Sequence, residues 1–322
     1  RTLCGMTWER TPQVVSSGES FVVYYEFRVD YFRHDSGSGT LEPIFSEPSD
    51  ESLIDISISS VSRDTGYIVM LSNESLRLLD TSDQSTRILE SSSNSSVVAS
   101  SGSLVAFSEN SPSGPTVNIT SADSDLTLTI PLDPRSSERI EESIRNSGAL
   151  LDFGNSTIVE LVMDSNWLVA TVDVGPFNRT IIVDTLSINQ TLISNPRWDS
   201  SSPSIGEGKV AFLQVTRDDI ISTSQDSLRN NDVYVYYIES TETRQHTFDD
   251  EVDQFQPQIL LDRLAWIEVN DQGEKQLLVY SFIDTIEPRN SLLLQASILA
   301  MIPLIFLWTL QSYGAKIVTQ RV

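Results

Sequence analysis

A turn residue followed by a run of apolar, β-favouring residues recurs six times along this chain. The runs are GESFVVYY at 18–25, DTGYIVML at 64–71, GSLVAF at 102–107, DSNWLVA at 164–170, GEGKVAFL at 206–213 and DRLAWI at 262–267. Their leading apolar residues are Phe21, Tyr67, Leu104, Trp167, Val210 and Leu264, spaced by 46, 37, 63, 43 and 54 residues. Runs of this composition, bounded by Gly, Pro, Asn and Asp, read as strands. A period of this length marks one supersecondary unit copied along the chain.

Each unit reads as up to four strands. In the fifth they fall at 203–205, 209–215, 232–238 and 243–247, and in the sixth at 257–260, 263–269 and 276–282. The second gives 54–58, 67–71, 75–79 and 86–89; the fourth gives 158–162, 167–172, 179–183 and 190–193. Four-stranded units at this period match the blades of a β-propeller. The expected fold is therefore all-β, a six-bladed propeller over residues 1–286. The sixth unit lacks an outer strand, and residues 3–8 (LCGMTW) are expected to supply it beside 276–282, since an unclosed ring exposes strand edges. Val22, Val105, Leu168, Ala211 and Ala265 should lie on strands packed between sheets. Two insertions interrupt the pattern. Residues 133–146 predict a short helix capped by Asp133 with Pro134 in its first position. Residues 216–231 form a polar loop. Such insertions belong on one face.

The run Pro203-x-Ile205, Gly208-x-Val210-Ala211-Phe212, Asp232-Val233-Tyr234-Val235-Tyr236, then Pro257-Gln258-Ile259, Asp262-Arg263-Leu264-Ala265-Trp266 and Leu278-Val279-Tyr280 resembles TolB-like propellers. It also resembles the propeller repeats of archaeal surface-layer proteins. Residues 203–282 carry the likeness in their motifs, and residues 11–193 only in their periodicity. The resemblance implies an interaction scaffold and transfers no catalytic residue.

Residues 291–310 (SLLLQASILAMIPLIFLWTL) hold no charge. Their length suits a helix crossing a bilayer, and Pro303 is tolerated there. Trp308 and Tyr313 stand where interfacial aromatics belong, and Lys316 and Arg321 place the tail in the cytoplasm. A buried core helix is the alternative reading. The expected organisation is an extracytoplasmic propeller over 1–286, a linker at 287–290, a transmembrane helix at 291–311 and a cytoplasmic tail at 312–322. Export with the N-terminus outside implies a signal peptide removed or residues upstream of Arg1. The expected location is the cell membrane, single-pass, in contact with the lipid bilayer through 291–310.

Composition sharpens this picture. Ser and Thr number 73 of 322 residues, which favours strands and turns over helices. The net charge is −24, with 18 Arg and 3 Lys, so nucleic acid is not an expected partner. A saline habitat and an ordinary acidic exterior both fit. Cys4 is the single cysteine, which excludes an internal disulfide and a cysteine-based metal site.

Candidate chemistry is sparse. His34 and His246 are the two histidines, far apart and expected on the surface. Residues 62–67 (SRDTGY) partly match the turn motif of sialidase-like propellers, and a plain turn is the other reading. Residues 249–253 (DDEVD) offer oxygen ligands for a cation or a solvated acidic turn. No phosphate loop, dinucleotide fingerprint or nucleophile elbow occurs, so no catalytic, metal or cofactor-binding residue is assigned. Six Asn-x-Ser/Thr sequons mark candidate glycosylation sites at Asn73, Asn94, Asn118, Asn155, Asn178 and Asn189. All lie in units two to four.

The function expected is a non-catalytic scaffold or accessory subunit whose partners are other membrane or cell-surface proteins. The rivals are a glycan-active or other hydrolytic enzyme of the envelope, and a surface-layer or viral spike component. Paired carboxylates beneath an open funnel would favour hydrolysis.

Overall fold

The computed structural model describes residues 13–282 except 18–19, 26–27, 36–39, 49–52, 61–65, 73, 91–94, 112–113, 125, 147–149, 216–230, 249–251, 261 and 271. Its strands form six antiparallel sheets in chain order. Sheet 1 holds β1 (Gln13–Ser17), β2 (Ser20–Tyr25), β3 (Arg28–Asp35) and β4 (Thr40–Pro48); sheet 2 holds β5 (Leu53–Ser60), β6 (Gly66–Ser72), β7 (Leu76–Asp80) and β8 (Thr86–Glu90). Sheet 3 holds β9 (Val98–Ser101), β10 (Leu104–Ser111), β11 (Gly114–Ser121) and β12 (Thr127–Pro131), followed by helix α1 (Glu138–Asn146). Sheet 4 holds β13 (Thr157–Asp164), β14 (Trp167–Asp173), β15 (Asn178–Asp184) and β16 (Asn189–Leu192). Sheet 5 holds β17 (Asp199–Gly206), β18 (Lys209–Val215), β19 (Asn231–Tyr237) and β20 (Glu242–Gln245); sheet 6 holds β21 (Asp253–Leu260), β22 (Arg263–Val269) and β23 (Lys275–Ser281).

Every sheet is a meander, and the first strand of each packs on the first strand of the next, from β1 on β5 through to β17 on β21. This is the construction of a β-propeller. The core is accordingly a series of apolar layers between consecutive sheets. Val29 and Tyr31 of sheet 1 meet Ile56, Ile58 and Ile68 of sheet 2. Val169 and Ile182 of sheet 4 meet Val210, Phe212 and Tyr234 of sheet 5. Ala211, Val233 and Val235 turn the other way, onto Leu264 and Trp266. In sheets 2 to 5 the second and third strands are covered on both faces, so they read as continuous apolar runs rather than alternating ones. Val105, Leu168, Ala211 and Ala265 are buried between sheets as expected.

One hydrogen bond repeats in five sheets. The N–H just after the third strand donates to the carbonyl at or just before the start of the second: Thr81 to Gly66 (3.0 Å), Ala122 to Ser103 (2.7 Å), Thr185 to Asn166 (2.9 Å), Ile238 to Gly208 (3.0 Å) and Phe282 to Asp262 (2.8 Å). The turns that join first to second strands and third to fourth strands thus lie at one end of the molecule, the turn end. The links between second and third strands, and between successive sheets, lie at the other. That second end holds α1 and the connection through 216–230, so it is the insertion end.

Three expectations need correction. Helix α1 begins at Glu138, with the Ser137 carbonyl accepting from Ile140 and Glu141 N–H; Asp133 instead accepts from Arg135 N–H in a turn before it. Strands β17 and β21 begin four residues earlier than expected, because Pro203 and Pro257 sit in β-bulges rather than at strand starts. The residues before them, Ser202 and Gln256, take left-handed φ of 53° and 48°, which carries proline out of the ladder without ending the strand. His246 is half-buried, because it follows β20 opposite Val233 and faces sheet 6.

Candidate functional site

The inner strands are tied to one another by polar side chains. Asp55 on β5 accepts from Val98 N–H on β9 at 2.9 Å. Ser57 Oγ meets Ser100 Oγ at 2.9 Å, and Ser59 donates to the Gly102 carbonyl at 2.7 Å. Ser96, just before β9, donates to the Ile158 carbonyl of β13 at 3.1 Å. Glu160 on β13 accepts from Ser202 N–H on β17 at 2.8 Å, and Ser204 on β17 accepts from Ile259 N–H on β21 at 3.0 Å. Asp55 and Glu160 each follow a bulge, which turns their carboxylates toward the neighbouring sheet. Asp199 and Asp253, which open β17 and β21, point backwards. They accept from Asn178 and Asn231 N–H of the preceding sheets at 2.7 and 3.4 Å.

Burial pushes the Asp55 carboxyl up, against the lowering pull of its two N–H donors. Burial also pushes Glu160 up, and nearby Asp199 adds to the rise. Thr171 pairs with Glu160 across β13 and β14, and its buried Oγ1 makes no hydrogen bond.

At the insertion end a buried ion pair holds α1. Arg179 on β15 is fully buried, and its Nη1 lies 2.7 Å from Glu141 Oε1 on α1. Arg179 also donates to Glu141 Oε2 (3.2 Å) and to the carbonyls of Pro134 (2.8 Å) and Pro196 (3.0 Å). Ser136 donates to Glu141 through both N–H and hydroxyl at 2.6 Å. Burial pushes Glu141 up, but these donors outweigh it and hold the carboxyl below its ordinary range. Ile144 adds an apolar contact to the layer between sheets 3 and 4. The insertion is therefore docked structure.

At the sheet 5–6 junction four rings cluster. His246 lies 5.3 Å from Tyr280 and 6.0 Å from Phe282, and its Nε2 is 3.2 Å from Tyr237 Oη. Lys209 Nζ caps Phe282 at 4.8 Å and the Arg244 guanidinium caps Tyr237 at 5.1 Å. Burial pushes His246 down, and Arg244 adds to the shift.

The remaining sequence candidates scatter. Asp253 makes the contact described, while 249–251 and 62–65 lie outside the described residues, as do Cys4, the strand expected at 3–8, the loop 216–230, Asn73, Asn94 and residues 291–310. Tyr67 is on β6. His34 is on β3, remote in the chain from the His246 cluster. Asn155 and Asn189 are exposed, and Asn178 is half-buried at the start of β15. Asn118 is buried, donating to Glu109 Oε2 (2.8 Å) and accepting from Thr129 Oγ1 (2.6 Å). Among the described residues no group of three or more His, Cys, Asp or Glu could hold a metal. Among them, too, no helix is long and apolar enough to cross a membrane. Sequence reading missed the Arg179–Glu141 pair and the inner-strand contacts. A charged residue inside the apolar run NRTIIVD was the one available signal for the former.

No family model matches the chain, and no curated protein matches it in sequence. Solved structures match in fold. A chain of the mitotic checkpoint complex is 11% identical over 84% of this chain and 75% of its own length, with a TM-score of 0.53. Tricorn protease is 11% identical over 80% of this chain, which spans 28% of the protease chain, with a TM-score of 0.50. TolB from Acinetobacter baumannii is 11% identical over 78% of this chain, which spans 59% of that TolB chain, with a TM-score of 0.44. At such identities the likeness is one of fold alone, that of the β-propeller. Enzymes and non-enzymatic propellers both occur among the matches.

Proposed function

We propose that this chain is an extracytoplasmic six-bladed propeller, anchored by residues 291–310 and acting as a non-catalytic scaffold of a membrane or cell-surface assembly. The observation that carries this reading is the use made of the inner-strand acids. Asp55 and Glu160 are engaged by backbone N–H groups of the next sheet. Carboxylates so engaged position strands. Each is thereby committed to a backbone donor of the next sheet, a structural use distinct from that of a general acid. The TolB-like and archaeal surface-protein resemblance, and glycans on the exposed sequons, belong to the same reading. Its test is purification of the full chain in mild detergent with identification of co-purifying chains. A stoichiometric membrane or surface protein supports the scaffold, and a chain that purifies alone counts against it.

One observation favours the hydrolytic alternative: Glu160, bonded to Ser202 of β17, shares the seam between sheets 4 and 5 with Asp199, which opens that strand, and burial pushes the Glu160 carboxyl up. Glu160→Gln separates the two. Glutamine keeps an oxygen for Ser202 N–H, so a scaffold retains its partner, whereas a hydrolase loses its turnover.

A further inference from the structure

The strand directions fix the end of the propeller at which the chain leaves sheet 6. β23 runs from the insertion end to the turn end, and the chain leaves it at Phe282, bonded to the Asp262 carbonyl of the adjoining hairpin turn. Lys209, beside the corresponding turn of sheet 5, caps the Phe282 ring and ties the exit to that end. Only residues 283–290 separate this exit from the apolar stretch, and eight residues reach at most about 29 Å. A seven-residue strand is about 23 Å long, so running back to the insertion end would take most of that linker's full extension. We propose that the turn end faces the bilayer and the insertion end faces away; this rests on the reading of 291–310 as an anchor.

The sequons agree by a separate route. Asn155 and Asn178 lie beside insertion-end connections, and in chain order Asn73 falls between β6 and β7 and Asn94 between β8 and β9, whose facing ends are there; Asn189 adjoins a turn-end hairpin. A glycan is bulky and hydrated and does not fit between a protein face and a bilayer. Leu126 and Leu186 are 82% and 81% exposed at the turn end, and Leu150 and Phe248 are 87% and 74% exposed at the insertion end, so exposed apolar tips do not distinguish the two ends. Turn-end hairpins of sheets 2, 3 and 4 carry Asp80, Asp123 and Asp184, so the lipid surface that fits is zwitterionic rather than anionic.

The test uses the full chain with Cys4→Ser, reconstituted in phosphatidylcholine vesicles doped with a nitroxide-headgroup lipid. A fluorophore is placed on Leu186→Cys or on Leu150→Cys. The two positions have matched exposure, 81% and 87%, and lie at opposite ends. Ser82→Cys and Gln272→Cys form a second pair should either variant misfold. Quenching about twofold or more stronger at the turn end is expected from the strand-length separation. Equal quenching, or stronger quenching at the insertion end, overturns the orientation. Flotation of the vesicles is read separately: a chain that does not float with them overturns the anchor, and the orientation with it.

Discussion

Arg179 shows most clearly how one residue places an element. A guanidinium with no solvent exposure is tolerable only because Glu141 and two proline carbonyls surround it. Glu141→Gln leaves that charge unpaired and should cost about 3–5 kcal/mol in urea unfolding. Replacing both partners, Glu141→Leu with Arg179→Met, should cost much less, and equal losses would show that the pair does not act as a unit. The pH dependence follows from the same geometry. Glu141 is held below its ordinary 4.5, so its contribution is complete above pH 4.5 and is lost as pH falls through the folded value. His246 is held below its ordinary 6.5, so its contribution is complete above pH 6.5 and declines beneath it. Hydrogen exchange should therefore show the His246 cluster loosening at a milder acidity than α1; α1 opening first would contradict both assignments. The tryptophans should differ as well. Trp266 is 8% exposed and bonded to Glu268, whereas Trp167 is half-buried. Trp266→Ala should cost roughly 3–5 kcal/mol and Trp167→Ala distinctly less. Among the sequons, peptide mapping of exported protein should find glycan on Asn155 and Asn189 and none on Asn118, whose amide is occupied on both sides.

At the scale of elements, β23 stands apart. The third strands of sheets 4 and 5 bury five of seven residues, while β23 buries none, with Leu277 and Val279 exposed. The outer strands of sheets 2 to 5 have four or five residues; β23 has seven, with one charge and no proline. A long apolar edge of this kind pairs with something. Residues 3–8 remain the occupant we propose, and Cys4 supplies the probe. Cysteines scanned through 276–282 should form one disulfide with Cys4 inside a single chain, whereas disulfides only between chains would assign the edge to a second copy. The bulges make the complementary point. A proline normally argues against a strand interior, yet Ser202 and Gln256 take φ values that let β17 and β21 run through Pro203 and Pro257. Reading such a strand correctly requires knowing the backbone conformation before the proline, which residue type alone does not announce.

For the whole molecule, the sixfold return of a turn and an apolar run was enough to establish an all-β repeat architecture, because a sheet covered on both faces needs uninterrupted apolar strands. The same pattern located the second strands closely; the 209–215 and 263–269 runs coincide with β18 and β22. The insertions were legible as departures from the period. Their docking was not, since the contact between Glu141 and Arg179 joins residues 38 positions apart. The roles of Asp55, Glu160, Asp199 and Asp253 were equally hidden. A carboxylate in a strand looks alike in sequence whether it meets solvent, a substrate or a backbone N–H of the next sheet. Short-range periodicity determines which segments become strands, because backbone geometry and burial act within a few residues. The tertiary structure alone decided which polar groups are enclosed and what encloses them, because those partners come from separate sheets and meet only when the sheets pack.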